Sequence, residues 1–418
     1  MARLYNTFEF IGNISIPKDT NKFHEVKESP SGWVGHRLNF AVQESKTNSV
    51  FVELYGGYSK AKSYPVKTFG KGTENEKGAK LEIPWEDRLS PETIDMVADF
   101  KKIVVDFTTD QELKKEIGRM LYEVRNLEYQ DNLSDADTVK LKELKEELKK
   151  KAVNRFEFIH NYDAIVLLAD KLDEYKDYKF KITGSVDYSE HKGNFYRKFN
   201  PEHIEIVPNE EKSKLTSTMD IFFTKDSLDD KDFKEDKKVY INGYVLGYEG
   251  KAKKDQFFPQ QFVINAQKID LENENQVKLF EFLKSKFNVK GKGVYHLQWQ
   301  VNVFRGADTV EFTIDNLTPT QRESVEFGLS KLEDYAPKGG MLGETVYENR
   351  LVKPILKAID KENDFSEGAV ESTFEAEDLE FEYTLVEDKQ QIQSQEPVKE
   401  EVKEESKPAL DDLDNLFG

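Results

Sequence analysis

The sequence predicts an α+β fold, mainly β, that ends in a disordered acidic tail. Three observations carry this. Two runs of β-rich segments alternate at period two, a charged helical stretch interrupts the first run, and the composition changes sharply near the C-terminus. The chain has 418 residues, which allows two or three domains. Hydrophobic residues make up 37% and charged residues 34%, so part of the chain lies outside any packed core.

The first run opens with Phe8–Ile16, rich in β-formers around Gly12. Trp33–Gln43 follows a Ser-Pro-Ser-Gly turn signal at 29–32. In Ser49–Gly56, Val50, Val52 and Leu54 alternate with Phe51, Glu53 and Tyr55. A Lys- and Gly-rich loop, Tyr58–Lys80, leads to Ser90, an N-cap with Pro91 at the first helical position. Asp110–Leu127 and Ser134–Val153 read as charged amphipathic helices, and Tyr162–Leu172 as a third. Strands Tyr178–Tyr188 and Phe195–Val207 close the run through a hairpin tip at Glu190–Asn194.

The second run places strands at Thr218–Phe223, Lys238–Tyr248 and Gln256–Ala266. A helix, Glu272–Phe287, precedes strands Val294–Arg305 and Thr309–Ile314. A last helix is expected over Thr318–Tyr335, capped by Thr318 with Pro319 behind it.

Both runs therefore read as three strands, a helical element and two strands. That is the order of the OB-fold, a small Greek-key barrel. Gly184 and Gly243 interrupt good strands where small barrels bend or bulge. The expected organisation is two tandem OB-fold-like barrels. The first spans 1–208 with a helical insertion at about 90–172, and the second spans 215–317. A helical extension over 318–360 and a disordered acidic tail over 361–418 complete the chain.

The tail carries most of the charge. Of the net −19, residues 361–418 contribute −14, from 19 acidic and 5 basic residues. Gln390–Pro408 holds almost no large apolar residue and cannot bury enough surface to offset chain entropy. The tip, LDDLDNLFG, differs. Asp411, Asp412 and Asp414 alternate with apolar residues including Leu416 and Phe417, a pattern suited to a basic-rimmed apolar pocket on a partner.

A surface for single-stranded nucleic acid needs rings for bases to stack on and cations along the phosphates. If Leu38, Phe40 and Val42 point inward, Arg37 points out beside Phe51 and Tyr55. Neighbouring loops add Trp33, His36, Lys60 and Lys62. The hairpin supplies Lys192, Phe195, Tyr196, Arg197 and Lys198. In the second run Tyr240 and Tyr244 face out, next to a loop with Lys251, Lys253 and Lys254.

Signs of catalysis are missing from the sequence. None of the six His residues is paired at metal-ligand spacing, and there is no phosphate-binding glycine loop or nucleophile elbow. Asp226, Asp229, Asp230 and Asp232 read as a solvated loop. The absence of Cys excludes a disulfide framework, Cys-type zinc, iron–sulfur clusters and a thiol nucleophile. No enzyme activity, cofactor or metal is expected. No apolar run approaches a membrane span, and Met1–Ile16 lacks the apolar core of a signal peptide, so no membrane contact and a cytoplasmic location are expected.

The β-rich body, the Gln/Pro/Glu linker and the acidic tip with a near-terminal Phe417 resemble bacterial and bacteriophage single-stranded-DNA-binding proteins. The resemblance implies OB-folds that hold single-stranded DNA and a tip that recruits replication, recombination and repair enzymes. The tip departs from the bacterial form, with Leu416 in the place of Pro and Gly418 after Phe417. Two other readings stay open: a structural, scaffold or virion protein, and an accessory replication factor such as a helicase loader.

Overall fold

The computed structural model describes residues 6–270, 272–310, 312–337, 341–357 and 364–383. Strand β1 (Thr7–Ser15) leads through a helical turn, α1 (Thr20–Phe23), and an edge strand, β2 (His24–Glu28), into β3 (Trp33–Ser45) and β4 (Asn48–Ser59). An insertion follows. It holds a two-stranded ribbon of β5 (Val66–Phe69) and β6 (Lys80–Ile83), then α2 (Pro91–Met96) and β7 (Ile103–Asp106). The helical hairpin α3 (Gln111–Glu128) and α4 (Asp135–Lys151) comes next, followed by β8 (Arg155–Phe158) and α5 (Asn161–Lys171). The chain returns as the hairpin β9 (Lys179–His191) and β10 (Asn194–Val207).

The second run begins with β11 (Lys214–Phe223), the two-residue β12 (Leu228–Asp229) and the turn α6 (Phe233–Asp236). It continues through β13 (Lys238–Glu249), β14 (Lys254–Asn265), α7 (Glu274–Ser285) and β15 (Tyr295–Val310). Helix α8 (Pro319–Glu326), β16 (Met341–Pro354) and β17 (Val370–Glu371) end it.

Pairing follows one scheme in both runs. In the first, β1 pairs with β3 and β9, β3 with β4, and β9 with β10, all antiparallel. β10 packs beside β4. In the second, β11 pairs with β13 and β15, β13 with β14, and β15 with β16. Parallel pairing of β14 with β16, at Phe262 opposite Asn349 and Val263 opposite Arg350, completes a hydrogen-bonded ring. The groups join where β1 pairs with β11 and where Gly306 of β15 meets Asn48 of β4.

Period-two alternation decides what is buried. Leu38, Phe40 and Val42 of β3 and Val50, Val52 and Leu54 of β4 face inward. Phe180, Ile182 and Val186 do the same on β9, and Leu297, Trp299, Val301 and Val303 on β15. The Trp299 indole stacks on Phe287, centroids 5.0 Å apart. Gly184 lies opposite Pro201, where the β9–β10 register shifts before His203. The irregularity expected from a glycine inside that strand is therefore present.

α3 starts at Asp110, whose side chain accepts from the Glu112 and Leu113 N–H groups. Ile117, Met120, Val124 and Leu127 make its one buried stripe. α4, capped by Ser134, buries no residue fully.

Four differences from the sequence reading stand out. The insertion is not purely helical: β7 pairs with β10, and β8 with β7. Each is four residues long, too short to display a period. Residues 341–354 form β16 where a helical extension was expected. That strand buries only Asn349 and Leu351 fully and shows no apolar alternation. The expected strand Thr309–Ile314 is replaced by the end of β15, and β16 takes the fifth place. Finally, 364–383 are part of the fold. β17 pairs with β15, and Phe365 and Leu379 are buried. These 20 residues carry eight carboxylates and no Lys or Arg, which masks their few apolar anchors. The remainder of the expected tail, 361–363 and 384–418, lies outside the described residues, and with it Asp411, Asp412, Asp414, Leu416 and Phe417. Among the described residues no helix is long and apolar enough to cross a membrane.

Candidate nucleic-acid interface

The outer face of β3 and β4 opens onto a cleft of about 850 Å³. Trp33 and Tyr55 form one wall, joined by a hydrogen bond from the indole N–H to the phenol oxygen at 3.4 Å. The two strands put them there by register. Arg37 lies opposite Tyr55, and Trp33 opposite Ser59 at the strand end. Tyr55 is 46% exposed because its position alternates with the buried Leu54.

The rest of the cleft comes from Tyr58 at the end of β4 and from loops and the insertion, which add Tyr64, Trp85 and Phe100 as rings and Lys60, Lys62, Lys67, Lys101 and Lys102 as cations. Trp85 is held firmly. Arg88 lies 3.9 Å over its ring and donates to Asp163 through Nε at 3.0 Å and a terminal nitrogen at 2.9 Å. Tyr58 and Tyr162 pack edge to face behind it, at 5.2 Å. Phe100, 68% exposed, and Tyr64, 54% exposed, leave ring faces open.

The cations differ in how free they are. Lys60 pairs with Glu28 at 2.6 Å, Lys67 with Glu82 at 3.3 Å, and Lys102 with Glu157 at 2.9 Å. Among the described residues Lys62 and Lys101 pair with no carboxylate and lie over rings, Lys62 on Tyr64 and Lys101 on Phe100. Glu86 and Glu202 are the cleft's carboxylates. A smaller cleft on the other side of the Trp33–Tyr55 pair is lined by Arg37, Lys27, Glu25 and Glu28.

Trp33, Tyr55, Lys60 and Lys62, named from the sequence, thus meet in one place. Arg37 lies next door, held by Glu25 and Glu53 at 3.6 and 3.4 Å. Phe51 is further along the same face, under Arg305 at 5.2 Å. His36 does not join them. It faces the side occupied by α5, bonded to His24 at 3.0 Å with the Tyr162 ring at 4.9 Å. Burial holds both imidazoles below their ordinary pKa.

The hairpin residues are dispersed by the alternation of β10. Lys192 is exposed at the tip with a positive φ of 52°, and Tyr196 is 51% exposed. Lys198 pairs with Glu53. Arg197 binds the Asn349 amide oxygen and lies over Tyr347 at 5.4 Å. Phe195 is a packing residue, edge-on to Phe381 at 5.0 Å and in contact with the core at Phe258.

On the second strand group the equivalent face, β13 with β14, is covered. Tyr244 and Leu246 pack with Phe222 and Phe257 beneath Phe374 and Leu379 of the C-terminal segment. The Gln256 side chain bonds both main-chain groups of Glu382, and Lys254 pairs with its carboxylate. Tyr244 points outward, as alternation placed it, but is half-buried beneath this segment of its own chain and so is not open to a ligand. Tyr240 donates to Asp236 at 2.7 Å, and burial with that carboxylate pushes its phenol up to about 12. Lys251 is tied to Glu190, while Lys253 stays exposed at the turn with a φ of 54°.

Sequence reading missed Trp85, Phe100 and Lys101. They sit in short turns of the insertion, without periodicity, and the one available signal was a Trp in a Lys-rich loop region. Among the described residues no group of three or more His, Asp or Glu is placed to hold a metal.

No family model matches the chain, and no curated protein matches it. A solved structure of a deletion mutant of the single-stranded DNA binding protein from Thermus aquaticus aligns over 72% of this chain and 89% of that one. The identity is 8% and the TM-score 0.25, a similarity too low to bear on fold or function.

Proposed function

We propose that this protein binds single-stranded DNA without reading its sequence, as a non-enzymatic component of replication, recombination or repair, and that each strand group is an OB-type barrel. The observation that carries the reading is the cleft beside Trp33 and Tyr55. Exposed rings lie there beside Lys62 and Lys101, which pair with no carboxylate among the described residues, the chemistry that stacks bases and tracks phosphates whatever the sequence. The pairing scheme supports the barrels: in each run the first strand pairs with the second and fourth, and the fourth with the fifth. The acidic tip, Asp411 to Phe417, serves in this reading to recruit partner enzymes.

The test is a binding curve for oligo-dT and for a duplex of equal length as a function of salt. Single strands bind much more tightly than duplex. In Lys62→Ala and Lys101→Ala variants the slope of log affinity against log salt flattens by about 0.7 for each phosphate that the missing ammonium would have neutralised. Unchanged slopes, or duplex bound as tightly as single strands, would refute the reading.

A further inference from the structure

We infer that a bound single strand leaves the cleft along a second track made by Phe51, Arg305, Tyr347 and Arg197, and so crosses the β15–β16 ladder rather than the β13–β14 face. The inference rests on the cleft being a single-strand site. Phe51 and Tyr55 stand four residues apart on β4 and face the same way, roughly 13 Å from each other. Beyond Phe51 the stations are close. The Arg305 guanidinium lies 5.2 Å from the Phe51 ring centre and 6.0 Å from that of Tyr347. Arg197 ends the series, 5.4 Å from the ring centre of Tyr347, which is 59% exposed.

The charges distinguish this track from its surroundings. Nearby cations are already neutralised: Arg350 by Asp308 and Glu348, Lys238 by Glu348. Arg305 and Arg197 pair with no carboxylate among the described residues, and the side-chain partner of Arg197 at Asn349 is a neutral amide. Two unpaired guanidiniums interleaved with rings suit a phosphate backbone with stacked bases. Glu53, between Tyr55 and Phe51, is neutralised by Arg37 and Lys198.

The seam is held in place. The buried Asn48 accepts from the Arg305 N–H at 2.9 Å, and Gly306 leaves no room for a Cβ against the Thr47 carbonyl. The alternative route over β13 and β14 is occupied by Phe374, Leu379 and Glu382 of the same chain.

The experiment compares oligo-dT of about 8 nucleotides, within the span of one barrel, with one of about 30, on the full chain. In the Arg305→Ala/Tyr347→Ala double variant, affinity for the long oligomer falls about tenfold or more while the short one changes less than about twofold. Tyr347→Phe retains the long-oligomer affinity. On the unaltered chain, 5-iodouracil scanned along the long oligomer crosslinks to Tyr347, which decides the matter even if the double variant misfolds. Equal losses at both lengths, no loss, or no crosslink at Tyr347 overturns the track. Failure of the unaltered chain to hold either oligomer overturns the cleft reading instead.

Discussion

Trp33→Ala and Tyr55→Ala each weaken oligo-dT binding by about 1–3 kcal/mol and leave the melting temperature nearly unchanged. The first half follows from their position: both line the cleft, and each offers a ring face that every base can stack on. The second follows from what they do not touch. Tyr55 is 46% exposed, and the fold beneath it is carried by Leu54 and Val52. Tyr244→Ala is the internal contrast. Its ring packs with Phe222 and Phe257, so its loss costs on the order of 2 kcal/mol of stability, with affinity reduced only as the fold loosens. Melting and affinity measured on the same three variants separate the two roles. Fluorescence gives a second readout. Trp33 and Trp85 share the cleft, whereas Trp299 is fully buried. Oligo-dT therefore quenches the protein, Trp33→Phe keeps part of that quenching, and Trp33→Phe with Trp85→Phe loses it. Quenching that survives in the double variant would place the DNA elsewhere.

Acid destabilises this protein from pH 6.5 downward, and His296 is the largest identifiable cause. Its imidazole is buried between Phe222, stacked at 5.1 Å, and the edge of Phe365 at 5.1 Å, with Nδ1 lacking a hydrogen-bond partner among the described residues. Burial lowers its pKa from 6.5 to about 4. The unfolded chain then binds a proton that the folded chain refuses. Stability from this group is fully present above pH 6.5 and is lost as pH falls to about 4, to a total of about 3 kcal/mol. His24, His36, His160 and His203 are lowered by burial too and act with the same sign. The measurement is unfolding free energy against pH for the unaltered chain and for His296→Phe, which keeps a ring and removes the titration. The difference between them grows from pH 6.5 to 4. A difference that stays flat would show that His296 is not the group responsible. Since Phe365 and Val370 lie on His296, the C-terminal segment should loosen first, visible as faster amide exchange over 364–383.

How far the site could be read in advance depended on the kind of signal. Trp33, Tyr55, Lys60 and Lys62 were legible because alternation on β3 and β4 separates inner from outer residues, and a turn signal marks the loop–strand junction. Trp85, Phe100 and Lys101 were not, because they reach the cleft only through the path of an insertion whose short strands carry no period. Tyr244 shows the opposite error. Alternation placed it outward correctly, but outward is not exposed when another segment of the chain lies on top.

By itself the sequence determined the β-rich class, the position of most strands and helices, the inward faces of β3, β4, β9 and β15, and the concentration of acid in the last 58 residues. These are local properties: side-chain alternation, caps at Ser134 and Thr318, and composition act over a few residues. Only the tertiary structure decided that β16 is a strand, because it finds its hydrogen bonds on β14 and β15 rather than within itself. It alone decided that 364–383 covers the second group while the first stays open, and that Arg37 and Lys198 are neutralised by Glu53 while Lys62 and Arg305 pair with no carboxylate among the described residues. Charge pairing and face covering join residues tens to hundreds of positions apart, and no local pattern encodes which of many cations a given carboxylate will meet.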